Sequence, residues 1–229
     1  MKKTVLLLLC ISFLFSSSPD ERGYIVKIGD KIPEFIMEFP DESLINSKDL
    51  LGNVVMLQFT ASWCSVCREE MPHIEKEIWK TYKRVGLKVI GIDRDEPADV
   101  VKKFAKEVKV TYPIALDPGA DIFALFADRN SGVTRNIIID TDGTISFLTR
   151  LFDPKEYLRM KKVIHSLLKS QFLEEKQDLI AQKQILKQLK NKRTPNNLSS
   201  INRIERRLSL KESELNLRER RLIYAKKLL

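Results

Sequence analysis

The sequence predicts an α/β domain, a central mixed sheet flanked by helices, with an α-helical extension at its C-terminus. Three observations predict it. Apolar runs of strand length alternate with helix-spaced segments between residues 54 and 127. A hairpin and a strongly capped helix follow between residues 136 and 156. Beyond Ser170 glycine disappears, and Ile201, Leu208, Leu215, Leu222 and Leu229 recur every seven residues.

Val54 to Phe59 reads as a buried strand, rich in β-branched and apolar residues. Arg68 to Tyr82 places Met71, Ile74, Ile78 and Tyr82 on one helical face. Leu87 to Ile92 is a second buried strand. Asp95-Glu96-Pro97 starts a helix whose apolar face is Val100, Val101, Phe104, Ala105 and Val108. Tyr112 to Leu116 is a third strand, and Ala120 to Ala127 a short helix. Asn136–Ile139, the turn Asp140–Gly143 and Thr144–Thr149 make a hairpin. Asp153, Pro154 and Glu156 then form a cap, a first-turn proline and a capping box.

The expected domain boundaries are a signal peptide over 1–18, an α/β domain over 19–170 and a basic helical tail over 171–229. Met1 to Thr4 is a basic start, and Val5 to Phe15 an apolar run too short to span a bilayer. Cys10 lacks the small residues that precede a lipidated cysteine, so it is expected to leave with the signal. Export implies a periplasmic or other extracytoplasmic compartment in which Cys64 and Cys67 can form a disulfide.

The chain has 229 residues, 43% of them hydrophobic and 31% charged, enough for one packed core and against global disorder. Its charge is uneven. Residues 171–229 hold 8 lysines and 7 arginines against 7 acidic residues, or +8 of the total +9. The basic character belongs to the tail and gives the central domain no nucleic-acid-binding signature. The tail reads as two helices, about 171–192 and 199–229, joined around Pro195. A hairpin or a second copy of the chain is the expected cover for its apolar stripe, ahead of an anionic surface.

Cys64-Ser65-Val66-Cys67 follows a buried strand and opens a helix. Unpaired N–H groups and the positive end of the helix dipole stabilise a thiolate there. The thiolate is the attacking species in disulfide exchange, and Cys67 is one turn away to resolve a mixed disulfide. Arg68 adds positive charge, which Glu69 and Glu70 partly oppose. A zinc site needs four ligands and finds only His73 nearby, so no metal is expected. Covalent haem attachment would need histidine where Arg68 stands. An inert structural disulfide is the remaining alternative.

The segment Phe59–Pro72, with Trp63-Cys64-Ser65-Val66-Cys67 at its centre, resembles the active site of the thioredoxin superfamily. It is most similar to the exported TlpA/ResA-like oxidoreductases, which are related to the AhpC/TSA redoxins. The resemblance spans about residues 25–168 and includes Ile28-Gly29-Asp30, Pro33, Phe35 and the helix-kinking Pro72. It implies a thioredoxin-like fold and a dithiol enzyme without a cofactor. Its partners would be protein disulfides and a recycling redox protein. Cys64 would be the nucleophile, Cys67 the resolving thiol and Trp63 the flanking aromatic.

Two positions depart from the thioredoxin pattern. Gln58 replaces a buried aspartate, and Glu96, in this branch's insertion, is the expected acid/base. Thr134 stands where the family places a cis-proline, so Val133 and Thr134 are expected to face substrate across a trans bond. A peroxidase using Cys64 is the second reading; Arg135 lies one place past the family's arginine. A non-enzymatic scaffold with an interaction tail is the third.

Overall fold

The computed structural model describes residues 22–229 except 193, 195 and 196. The expected signal peptide, with Cys10, lies outside the described residues. Ile36–Glu38 and Leu44–Asn46 pair antiparallel as strands β1 and β2. They add an edge hairpin that the sequence pattern does not reveal. Each is three residues long, and Ile36 and Leu44 point to solvent.

Val55–Thr60 is β3, and all six of its residues are buried. The helix after it runs as α1 (Ser65–His73), a π-helical stretch (Ile74–Trp79) and α2 (Lys80–Tyr82). Pro72 has no N–H to continue the ladder, and the wider turn follows it directly. Lys88–Arg94 forms β4, Ala98–Glu107 forms α3 and Ile114–Asp117 forms β5. The short helix expected over 120–127 is instead two 3-10 turns, Pro118–Ala120 and Phe123–Leu125. Asp117 shapes them: its carboxylate accepts from the N–H groups of Ile122 and Phe123, each at 2.8 Å. Arg135–Ile139 and Ile145–Arg150 are the hairpin strands β6 and β7.

The sheet order is β2-β1-β5-β4-β3-β6-β7. Strands β3, β4 and β5 are parallel, while β6 is antiparallel to β3 and β7 to β6. The central strand β3 is therefore paired on both sides and covered on both faces, as its continuous apolar run requires. This is the mixed sheet flanked by helices that the sequence predicts.

Asp153 caps α4, accepting from Glu156 N at 2.8 Å, and α4 then runs unbroken from Pro154 to Asn191. Residue 170 is inside this helix, so the change in composition there marks no change in backbone. α5 (Leu198–Lys226) returns antiparallel along α4, with Lys190–Glu205, Lys183–Glu212 and Lys176–Glu219 ion pairs rising along one flank. Phe172, Leu179 and Leu186 of α4 and Ile201, Leu208, Leu215 and Leu222 of α5 are the buried seam. Arg218 and Arg221 donate to the carbonyls of Val85 and Arg84, which ties α5 to the loop before β4.

The hairpin is expected to be separable from the α/β domain although these contacts hold it there. A chain ending at Lys192 exposes the Phe172–Leu186 stripe and should associate in a concentration-dependent manner on size-exclusion chromatography. A chain ending at Ser170 removes that whole stripe and should remain monomeric. Loss of the two arginine–carbonyl bonds, about 1 kcal/mol each, should lower its Tm by about 5 °C. Insolubility of the shorter chain would show that the helical hairpin completes the core.

Candidate active site

β3 ends at Thr60, and the turn Ala61–Trp63 delivers Cys64 to the N-cap of α1. Cys64 has extended backbone (φ −86, ψ 107), and its Sγ accepts from Cys67 N at 3.2 Å. Cys64 and Cys67 are joined as a disulfide with a Cα–Cα separation of 5.3 Å. Cys64 is 8% exposed and Cys67 fully buried, so an incoming sulfur reaches Cys64 first. Trp63 beside them is 63% exposed, a large apolar side chain left in solvent next to the reactive sulfur.

The loop before β6 closes over the disulfide. Thr134 is almost fully buried, and its Oγ1 lies 3.1 Å from Cys64 Sγ and 3.3 Å from Cys67 Sγ. Val133 is buried beside it. No peptide bond among the described residues is cis, so the Val133–Thr134 bond is trans. The Thr134 carbonyl accepts from Leu151 N at 3.3 Å and from the Arg150 guanidinium at 3.4 Å. The buried Arg135 guanidinium donates to the carbonyls of Gly132 and Arg22 and to Ser131 Oγ. It also stacks over the Tyr24 and Phe123 rings. The Arg150 guanidinium packs against Gly132, and a Cβ there would displace it.

The turn before Cys64 is clamped from both ends. Glu96 accepts from Ser62 N at 2.5 Å and from Ser62 Oγ at 2.6 Å. Arg68 Nε donates to Ser62 O at 2.6 Å, and its other arm pairs with Glu107 at 3.0 Å. Glu96 thus sits at the cysteine end of the sheet and bonds the turn; among the described residues its hydrogen bonds go to Ser62 and not to either sulfur. Behind it, Asp93 is fully buried, with neither carboxyl oxygen hydrogen-bonded among the described residues. Burial, then the neighbouring Glu96 and Asp117 carboxylates, push its pKa up to about 8.

Glu70 is the group the sequence pattern missed. Alongside Glu69 it reads as a surface charge opposing Arg68, but Glu70 turns inward and is 1% exposed. Asn136 Nδ2 donates to Glu70 Oε1 at 2.6 Å, and Gln58 Nε2 lies 3.4 Å from Oε2. Tyr112 OH donates to Gln58 Oε1 at 2.7 Å, and Asn136 Nδ2 also reaches Thr149 Oγ1 at 2.9 Å. Burial pushes the Glu70 carboxyl up to about 7, against the pull of the Asn136 and Gln58 bonds. The partial signal is that Gln58 and Asn136 are polar residues inside buried strands, and buried amides demand partners, but nothing local says which residue supplies them.

Among the described residues no cluster of three His, Cys, Asp or Glu side chains is arranged to hold a metal. His73 bonds Glu77 Oε1 at 3.0 Å and packs on Phe152. A cleft of about 510 Å³ between the β1–β2 hairpin and α3 is lined by Phe39, Val101 and Tyr112, and neither cysteine, Trp63, Glu96 nor Thr134 borders it.

Comparison with known proteins agrees with this geometry. The AhpC/TSA family model matches residues 28–148. The chain is 32% identical to the thiol-disulfide oxidoreductase ResA of Bacillus cereus over 120 residues, 52% of this chain and 68% of that one. It is 32% identical to ResA of Bacillus thuringiensis over 146 residues, covering 62% and 81% of the two chains. The solution structure of a candidate protein disulfide isomerase from Bacteroides thetaiotaomicron superposes with a TM-score of 0.62 at 52% identity, over 64% of this chain and 93% of that one. A thiol:disulfide interchange protein DsbE structure from Chlorobium tepidum gives a TM-score of 0.56 at 26% identity, over 62% and 99%. The chain therefore belongs to the AhpC/TSA family, among its ResA-like thiol–disulfide oxidoreductases.

Proposed function

We propose that this oxidoreductase works outside the cytoplasm as a reductase of protein disulfides, recycled by a second dithiol protein. The observation that carries the reading is the disulfide-bonded Cys64–Cys67 pair, with only Cys64 accessible, at the start of α1. In the reduced state the helix N-terminus favours a Cys64 thiolate, which attacks one sulfur of a client disulfide. The client's other sulfur leaves as a thiolate. Cys67 then loses its proton, attacks Cys64 and releases the second client sulfur. Glu70 lies three residues beyond Cys67 on α1, which places it within a turn of that proton. With a pKa of about 7 it can accept the proton and later return it. The exposed Trp63 offers an apolar contact to the client. Arg135 commits its guanidinium to the carbonyls of Gly132 and Arg22, which disfavours it as the arginine of a peroxidatic thiolate. The signal-like residues 1–18 support export, and the basic α4–α5 hairpin is an accessory to exchange.

Cys67→Ser should trap client proteins as mixed disulfides on non-reducing gels, whereas Cys64→Ser should abolish exchange without trapping. Equal trapping by both variants would overturn the order of attack.

Release of the mixed disulfide should accelerate as pH rises through about 7, where Glu70 becomes a base. Glu70→Gln should flatten that limb and slow release by about tenfold or more at neutral pH. Stopped-flow kinetics from pH 5.5 to 8.5 would show it.

Asp93 has a stability signature. Its folded pKa of about 8 exceeds the unfolded value near 4, so the folded state holds the extra proton between them. Its contribution is greatest at low pH and is lost as pH rises toward 8. Unfolding free energy from urea titrations should fall by about 3–4 kcal/mol between pH 5 and 8. Asp93→Asn should reduce that slope.

A further inference from the structure

The exchange reaction moves one negative charge between two sulfurs, and the structure places a single hydroxyl against both. Thr134 Oγ1 is 3.1 Å from Cys64 Sγ and 3.3 Å from Cys67 Sγ. Among the described residues these sulfurs are its hydrogen-bond partners. The residue is 2% exposed, so little water competes for the hydroxyl proton. Its backbone cannot drift, because Leu151 N and the Arg150 guanidinium hold its carbonyl and Arg135 holds the loop that precedes it.

We propose that the Thr134 hydroxyl is a catalytic hydrogen-bond donor that follows the negative charge from Cys64 to Cys67. The proposal rests on the reading of this pair as a dithiol exchange centre. In the reduced protein the hydroxyl donates to the Cys64 thiolate. When Cys64 attacks, its electron pair forms the bond to the client sulfur, and the client's own S–S bond breaks. The departing client thiolate takes a proton from solvent. Cys64 is now a neutral mixed-disulfide sulfur and a poor acceptor. Cys67 gives up its proton to a base, and the hydroxyl, already in reach, turns to the new thiolate. That thiolate attacks Cys64 Sγ, the Cys64–client bond breaks, and the second client thiolate leaves and is protonated. The protein dithiol has been oxidised to a disulfide and the client disulfide reduced to two thiols.

A hydroxyl bonds a thiolate much more strongly than a neutral disulfide sulfur. Its stabilisation is therefore differential, and it favours the reduced protein and the charged intermediates over the disulfide. A proline at this position has no donor and supplies none of it. Thr134 thereby makes the pair a weaker reductant than the same fold would be without the hydroxyl, and at the same time speeds resolution.

The test compares wild type with Thr134→Val, which keeps the branched shape, and Thr134→Ser, which keeps the hydroxyl. Thiolate absorbance against pH gives the Cys64 pKa, and equilibration with glutathione gives the reduction potential. Valine should raise the Cys64 pKa by about one unit and shift the glutathione equilibrium about tenfold toward the disulfide, about 30 mV more reducing. It should also slow release of a preformed mixed disulfide about tenfold, and serine should restore all three to within about threefold. Should valine disturb the loop, judged by thermal melting, Thr134→Ser against Thr134→Ala repeats the comparison. Wild-type values in the valine or alanine protein, or a serine variant as impaired as they are, would overturn the proposal. Failure of the wild type to reduce protein disulfides would count against the reductase reading alone, since the pKa and the glutathione equilibrium are read without a client.

Discussion

The site depends on the three-residue turn that joins β3 to α1. β3 is paired on both edges and buried on both faces, so its end is as fixed as any point in the molecule. The turn must convert that rigidity into a position for Cys64. Ser62 is the means: Glu96 holds its N–H and hydroxyl, and Arg68 holds its carbonyl. The two clamping residues come from opposite sides, one just before α3 and one from α1 itself. The insertion that carries β4's continuation and α3 is thus tied directly to the cysteines, although no residue of α3 touches them by hydrogen bond among the described residues.

The same region accepts two buried carboxyls. Asp93 and Glu70 are each buried where ionisation is costly, and both pKa values rise accordingly. Their surroundings differ in a way that separates their roles. Glu70 has amide donors from two strands, which support its charged form and bring its pKa near neutrality. Asp93 has no donor among the described residues and faces other carboxylates, so its neutral form prevails to higher pH. A group poised near neutrality can exchange protons during turnover. A group kept neutral can sit beside Glu96 without repelling it from Ser62.

Much of the fold was legible because its signals are local. The runs at Val54–Phe59 and Leu87–Ile92, the Asp140–Gly143 turn and the Asp153 cap each specify an element through a few adjacent residues. The β1–β2 hairpin was not legible, since three-residue edge strands with exposed Ile36 and Leu44 carry no burial pattern. The segment 120–127 has helical apolar spacing, but the Asp117 carboxylate captures the N–H groups of Ile122 and Phe123. The cysteines were legible from their place between a buried strand and a helix. Thr134 was legible only by counting from the Asp140 turn. Glu70 was hidden because which way a helical glutamate points is decided by the distant Asn136 and Gln58, not by its neighbours.

The hairpin resolves a conflict within the tail. Its second seam row is broken: Ile204 is apolar, but Lys211 and Arg218 occupy places where a tight coiled coil would bury leucine. In the structure these two residues are not in the seam at all. Lys211 pairs with Asp178 at 2.8 Å, and Arg218 pairs with Glu175 at 2.5 Å while donating to Val85 O. One row of leucines is therefore flanked on both sides by ion pairs to α4. Exposed pairs of this kind contribute little stability each. The three flank pairs repeat every seven residues on both helices, so sliding α5 by one heptad would re-form two of them, with Glu212 facing Lys190 and Glu219 facing Lys183. Arg218 removes that degeneracy, since its bond to Val85 fixes the hairpin against the loop before β4. The bonds of Arg218 and Arg221 to that loop thus specify where α5 lies, and the apolar row supplies most of what holds it there.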